Sequence, residues 1–288
     1  MQTQRGARPI ENSEIQSWYN THEYQDISLT EYTTVWKNWL EFSDRKSIKG
    51  LDKFTHTDYT QGTSQTFDQF VIRHSKDRTI TALDGEFQYH QCLGKHINFQ
   101  SMQHFHADRL HGPGLTALII SAPFSDFGCV HPDFEQIMSI CTAMDVPVCL
   151  DLAYWGIAKN AHIDLDQYPC IQEVTCSLSK PFFTLENHRV GIRFTRKYCD
   201  DGISMINEVN MQNKHSMSLG VHYMKNFSPD WNWDTYSQKY EQVCDKLNLV
   251  HTDTVIFGLG SDPEYTEYNR GITHNNRVCI SEYLGDTQ

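Results

Sequence analysis

Basic side chains are scarce in this 288-residue chain: 24 lysines and arginines stand against 36 aspartates and glutamates, a formal charge of −12. Nucleic acid and anionic membrane surfaces both demand a basic face, so neither is an expected partner. Long apolar runs are missing too, none approaching the roughly 18 residues of a spanning helix. The opening MQTQRGARPIENSE is too polar for a signal-peptide core, and the expected compartment is the cytoplasm. None of the nine cysteines is spaced CxxC, which argues against a cysteine zinc site. Cys149, Cys176 and Cys279 sit in apolar, strand-like runs, as buried reduced thiols do. No internal repeat, heptad or low-complexity stretch is visible. A chain of this length can bury one large core and a smaller appended layer.

The most informative stretch runs from Val146 to Phe194. The apolar strand VPVCLD ends on Asp151, and CIQEVTCSLSK brings Ser177 and Lys180 to the end of a second strand; Arg189, Val190 and Gly191 follow shortly after. Before them, LTALIISAPFSDFG reads as a strand buried on both faces at 118–120. A helix over about 131–144, with Phe134, Ile137, Ile140 and Cys141 at helical spacing, leads back to the Asp151 strand. Strand, helix and strand in that order imply a parallel, right-handed crossover. Such sheets gather their ligand-binding residues at the carboxyl ends of the strands.

Earlier in the chain, LTEYTTVWKNWLEF predicts a helix over 29–42 whose apolar face is Tyr32, Trp36, Leu40 and Trp39. In HTDYTQGTSQTFDQFVIRH a short strand meets a Gly62-Thr63-Ser64 turn and a helix over 65–74. A small-residue turn opening a helix points backbone N–H groups at an anion, a candidate phosphate cradle. A strand at 79–83 and a glycine turn then present Phe87 and Tyr89. Five histidines lie between His90 and His111 (His90, His96, His104, His106, His111), with only Asp108 near them in sequence, so no metal site is expected and the cluster reads as solvated loop and strand edge. After Cys199 come helices over 202–225 and 235–248, parted by the aromatic turn FSPDWNWD, and the strands VIFGLG and NNRVCISEYLG close the chain.

Three ordered groups of residues now stand together: Asp151, Ala153, Tyr154 and Gly156; Ser177, Ser179 and Lys180; Arg189 and Gly191. The pattern resembles the class I/II aminotransferases among the fold-type I pyridoxal 5'-phosphate (PLP) enzymes, over about residues 60–195 and more loosely over 270–284. The resemblance implies an α/β fold: an α/β/α sandwich with a mainly parallel sheet and a small C-terminal α+β domain. The expected division is an N-terminal helical segment (1–50), a large PLP-binding domain (51–225) and a reduced small domain (226–288). It further implies a homodimer that moves an amino group from an amino acid to a 2-keto acid through a Schiff base on Lys180. In that family's terms Asp151 pairs with the pyridinium nitrogen and Tyr154 donates to the phenolic oxygen. Gly62, Thr63, Ser64 and Arg189 hold the phosphate, Ser177 is a further cofactor-binding residue, Phe87 stacks on the ring, and Arg277 binds the substrate α-carboxylate. Arg193, on the same strand face as Arg189 and deeper, is the alternative phosphate ligand. One departure matters: where the family has asparagine-proline-threonine-glycine, this chain has Ser125-Asp126-Phe127-Gly128. Serine can donate to the phenolic oxygen, whereas an ionised aspartate would repel it. The substitution leaves lyase, decarboxylase or racemase chemistry, or a catalytically silent PLP-fold subunit, as alternatives.

Overall fold

The structure, a computed structural model, describes residues 6–102, 105, 107, 110, 112, 114–270 and 276–286. The N-terminal part forms helices α1 (Ser13–Asn20) and α2 (Leu29–Glu41), each opened by a side-chain cap: Asn12 accepts from the Ile15 N–H and Ser28 from that of Glu31. Helix α2 buries Tyr32, Trp36, Trp39 and Leu40, the face its spacing predicts. There follow β1 (Ser47–Lys49), β2 (His56–Gln61), α3 (Thr63–His74), β3 (Thr79–Leu83), α4 (Tyr89–Leu93), β4 (Phe99–Met102), β5 (Thr116–Ser121), α5 (Phe134–Ala143), β6 (Val148–Asp151), β7 (His162–Asp164), β8 (Ile171–Ser177) and β9 (Val190–Thr195).

Among the described residues, seven of these strands make one sheet in the order β2-β9-β8-β6-β5-β3-β4. The pairings from β8 through to β4 are parallel, and β9 runs against both its neighbours. Period-2 alternation sends successive residues to opposite faces. Ala117, Ile119 and Cys149 pack with Phe67, Phe70 and Val71 of α3. Their neighbours Leu118, Ile120, Val148 and Leu150 join Ile137, Met138 and Cys141 of α5 and Trp36 of α2. Helices therefore cover both faces, which is the expected α/β/α sandwich, and each fully buried aliphatic side chain contributes about 1.5–3 kcal/mol.

An ion-pair network crosses one end of this sheet. Arg193 in β9 is fully buried, its Nη2 donating to Asp58 of β2 at 2.6 Å and its Nη1 to Asp201 at 2.6 Å. Arg73 of α3 reaches Asp201 at 2.5 Å and also bonds Glu173 of β8.

Several expectations need correction. The predicted 202–225 helix is broken into α6 (Gly202–Glu208) and α7 (Lys214–Asn226). Asn210 takes a left-handed φ of 56°, and Asn213 restarts the helix by accepting from the Ser216 N–H. Helix α8 (Trp231–Lys246) begins inside the predicted aromatic turn; there Asn232 donates to the carbonyls of Gly156 and Pro181 at 3.0 Å each, tying the helix to the Lys180 turn. Helix α5 starts at Phe134, after Pro132, and α3 at Thr63. His90, expected in solvated loop, is buried on α4 edge-on to Phe67, and burial pushes its imidazole down to about 3. His104, His106, His111 and Asp108 lie outside the described residues.

The chain ends in a three-stranded antiparallel sheet of β10 (Val250–His251), β11 (Phe257–Gly260) and β12 (Asn276–Cys279), then α9 (Ser281–Leu284). The short β10 adds to the two strands expected. Its core holds Trp233, Tyr236 and Tyr240 of α8 and is shared with Ile10 and Tyr154, so the N-terminal arm and the Asp151 turn both touch it. Among the described residues no helix is long and apolar enough to cross a membrane.

Candidate active site

Register sets the site. Ser121 lies opposite Asp151, Asp151 opposite Thr175, Ser177 opposite Gly191, and Gly191 opposite Thr60. The carboxyl ends of β2, β8, β6 and β5 and the start of β9 thus share one edge of the sheet. A cavity of about 570 Å³ opens there.

At its β2/β9 corner the backbone is unusually close-packed. Gly62 adopts φ 76°, and a Cβ on it would come 2.7 Å from Arg189 Nη2. A Cβ on Gly191 would come 2.8 Å from both Cα and N of Gly62. Glycine at both places lets the α3 turn and the start of β9 meet, and it lays the Arg189 guanidinium along the turn, where its Nη2 donates to Ser64 Oγ at 2.7 Å. Among the described residues Gly62 supplies no side-chain cap to α3, and the first N–H groups of an α-helix have no partner within the helix, an arrangement suited to an anion. The Ser177 and Ser179 hydroxyls, 3.1 Å apart, line the adjoining wall.

In the middle stands Asp151. Its Oδ1 accepts the Ala153 N–H at 2.9 Å. Burial, and after it the nearby Glu86 charge, push its carboxyl up to about 8, with the Ala153 N–H and Lys180 pulling the other way. Lys180 is half-buried, and its Nζ donates to the Ala7 carbonyl of the N-terminal arm at 2.9 Å. Glu86 is bonded by the Ser121 N–H at 2.6 Å and the Ser121 hydroxyl at 2.7 Å, and burial raises it to about 7. The Ser121 Oγ in turn accepts the Ser125 N–H at 3.0 Å, so Glu86, Ser121 and Ser125 form one chain of hydrogen bonds.

The C-terminal sheet closes the cavity from above β5. Arg277 lies 4.3 Å over the Phe257 ring, and its Nη1 donates to the Ser125 carbonyl and, at 3.2 Å, to the Tyr154 hydroxyl. Arg270 Nη1 donates to the same carbonyl at 3.1 Å and to Ser125 Oγ at 3.0 Å; its Nη2 donates to the Glu86 carbonyl at 2.9 Å.

The structure brings the sequence-predicted residues together. Thr63, Ser64, Phe87, Asp151, Tyr154, Ser177, Lys180, Arg189 and Arg277 line the cavity, and Gly62 lies directly beneath the Arg189 guanidinium. Phe87 is 44% exposed and stacks on Tyr89, centroids 5.8 Å apart. Arg193 is held in the ion network, so of the two candidate arginines Arg189 is the one in the cavity. Ser125 faces the cavity, whereas Asp126 packs under the glycine turn, where a Cβ on Gly85 would meet Asp126 Cβ at 2.5 Å. Sequence reasoning missed Glu86, Ser121, Ala7 and Arg270. Only Glu86, a carboxylate directly after a buried strand and a glycine turn, carried a local signal. Among the described residues no cluster of histidine, cysteine, aspartate and glutamate is placed to hold a metal.

No family model and no curated protein matches the sequence. Solved structures do match the fold. The chain is similar to the PLP-bound C-S lyase from Staphylococcus hominis, with a TM-score of 0.70, 13% identity and 94% of this chain covering 84% of that one. It is also similar to the aromatic aminotransferase from Pyrococcus horikoshii OT3 (TM-score 0.68, 14% identity, 98% and 90%) and to N-succinyldiaminopimelate aminotransferase from Mycobacterium tuberculosis (TM-score 0.66, 11% identity, 97% and 88%). Over nearly its whole length the chain has the fold of the fold-type I PLP-dependent aminotransferases and C-S lyases.

Proposed function

We propose that the cavity binds PLP and that the protein is a PLP-dependent aminotransferase, moving an amino group from an amino acid to a 2-keto acid. The observation that carries the reading is the meeting of Asp151, Lys180 and the Arg189–Ser64 corner at adjacent strand ends around one cavity. Each matches one part of the cofactor. The α3 turn with Arg189, Ser64 and Ser177 suits a phosphate, since guanidinium, hydroxyls and uncapped helical N–H groups converge there. A buried carboxyl as burdened as Asp151 gains strongly from a cationic partner, and a protonated ring nitrogen is one. Lys180, whose Nζ donates to the Ala7 carbonyl, is the amine for the aldehyde.

PLP when bound supplies a conjugated ring that draws electrons from the substrate's α-carbon. The remaining work belongs to the chain. With PLP bound, Arg277 would hold the α-carboxylate, Lys180 Nζ would take up the α-proton, and Tyr154, bonded to Arg277, would keep that guanidinium in place. A lyase is the second reading, favoured by the Staphylococcus hominis likeness. It shares the first proton removal and differs in the group that leaves.

The test combines a spectrum with a product assay. Purified protein loaded with PLP should be yellow, and borohydride should fix the label on Lys180. An adduct elsewhere, or no cofactor retention, would refute the proposal. A panel of amino acids supplied with a 2-keto acid then separates the readings: amino transfer supports the aminotransferase, and ammonia or thiol release without an acceptor supports the lyase. The same proposal covers the division at about residues 50 and 225 and a homodimer, for which Met205, Val209 and Met211, exposed around the end of α6, supply apolar surface. Sedimentation at micromolar concentration tests the assembly.

A further inference from the structure

Lys180 and Tyr154 stand on two separate turns, each past the end of its strand. Where β6 and β8 finish, the Leu152 N–H donates to the Thr175 carbonyl at 2.8 Å and the Cys176 thiol to the Leu152 carbonyl at 3.1 Å; both turns lie beyond these bonds. There the turns are in direct contact, since a Cβ on Gly156 would come 2.7 Å from Pro181 Cβ and 2.8 Å from the Trp39 ring.

One side chain spans that contact. Asn232, buried in the first turn of α8, donates from its single Nδ2 to the carbonyls of Gly156 and Pro181. An amide nitrogen carries two N–H bonds, so one goes to each turn. On the lysine side the hold is close. The ring of Pro181 locks its φ and the peptide bond before it is planar, which leaves one backbone torsion between the held carbonyl and the Lys180 Cα. On the other side Gly156 is two residues from Tyr154, whose ring meets Phe257 edge-on and whose hydroxyl accepts from Arg277.

Asn232 is itself fixed from two directions. Asp230, two residues before it, accepts from the buried Lys46 Nζ at 2.5 Å, from Ser43 Oγ at 2.7 Å and from the Asp44 N–H at 2.8 Å. Trp233, directly after it, is buried with Phe257 and Val278 in the core of the C-terminal sheet. A buried amide must find partners wherever it lies. What distinguishes this one is that its two acceptors belong to the turns carrying Lys180 and Tyr154.

Resting on the PLP reading, we propose that Asn232 is a positioning residue for proton removal. It acts through the two turns, holding the Lys180 amine and the Tyr154 hydroxyl in fixed relation so that Nζ meets the substrate's α-proton. Asn232 exchanges no proton itself. An ångström of misplacement caused by a change remote from the chemistry can cost about a hundredfold in rate, so two hydrogen bonds at the back of the site are enough to matter.

The experiment compares the unaltered protein with Asn232→Ala and with Asn232→Asp, which keeps the volume but cannot donate to both carbonyls. In cofactor-free protein, pyridoxal followed by borohydride labels lysines, and mass spectrometry gives the rate at Lys180 relative to the other lysines. In PLP-loaded protein, NMR in D2O follows α-proton exchange of the amino acid that turns over fastest, a step that transfer and lyase chemistry share. Absorbance follows binding of its α-methyl counterpart, which has no such proton. Both variants should lower the relative labelling of Lys180 and slow exchange about ten- to a hundredfold, with affinity for the α-methyl compound kept within about twofold. Unchanged labelling or unchanged exchange in a folded variant would each overturn the proposal, whatever the Tm, because Asn232 would then be structural only. Equal losses of exchange and of α-methyl affinity would overturn it as well, since the whole site would have collapsed. If Asn232→Ala melts too low to assay, Asn232→Asp decides alone. A missing cofactor band in the unaltered protein refutes the PLP reading, whereas a normal band beside normal exchange in the variants refutes only the role of Asn232.

Discussion

Replacing Asp151 by Asn keeps the shape of the side chain and its bond from the Ala153 N–H while removing a charge that the fold is poorly able to bear. In the folded protein burial and the Glu86 charge raise the Asp151 carboxyl from 3.8 to about 8. The folded state therefore binds this proton more tightly than the unfolded chain does. Stability from this group is fully present below the unfolded value and is lost as pH rises through the window up to the folded value. Glu86, raised from 4.5 to about 7, has the same sign. Titrating alone, Asp151 should lower stability by about 3 kcal/mol between about pH 5 and pH 8, at no more than about 1.4 kcal/mol per pH unit. With about 2–4 °C per kcal/mol for a chain of this size, that is about 6–12 °C in Tm. The assay is thermal unfolding by circular dichroism across that range, on protein stripped of carbonyl cofactor with hydroxylamine so that no ligand contributes. The unaltered protein should lose Tm steadily towards alkaline pH, and Asp151→Asn should be flatter by the Asp151 share, with the Glu86 slope remaining. Parallel curves for the two proteins would show that Asp151 is not held protonated by its surroundings and would remove the electrostatic argument for its pairing with a cationic ring.

Two further perturbations probe the corner of the cavity. Gly191→Ala would place a Cβ 2.8 Å from the Gly62 backbone, which cannot yield like a flexible side chain; it should cost about 1–3 kcal/mol in a melt and weaken retention of PLP more than of pyridoxal, which lacks the phosphate. Arg193→Met should destabilise by about 3–5 kcal/mol because Asp58 loses its guanidinium partner and Asp201 keeps only Arg73, whereas Arg189→Met should alter Tm little and lose the preference for PLP over pyridoxal. Matching effects from the two arginine variants would refute the division of roles between them.

Much of the site was legible in the linear chain because a parallel sheet converts strand ends into neighbours without further instruction. Once VPVCLD and CIQEVTCS are read as adjacent buried strands, Asp151 and Ser177 must share an edge, and Lys180 and Arg189 follow from short turns. The buried face of α2 was equally local, a matter of helical period. Local pattern failed where the decisive contact was distant. The break near Asn210 needed a left-handed residue and a new cap inside a run of helix-compatible residues, and His90 is buried because α3 happens to present Phe67 to it. Arg270 meets Ser125 across 145 residues of chain, and Glu86 across 184. Nothing in its own neighbourhood distinguishes it from a solvated arginine in a loop. Periodicity and strand ends are properties of a few consecutive residues and survive in any context that buries them; which charges are brought face to face depends on how the C-terminal sheet docks over β5, and only tertiary packing decides that.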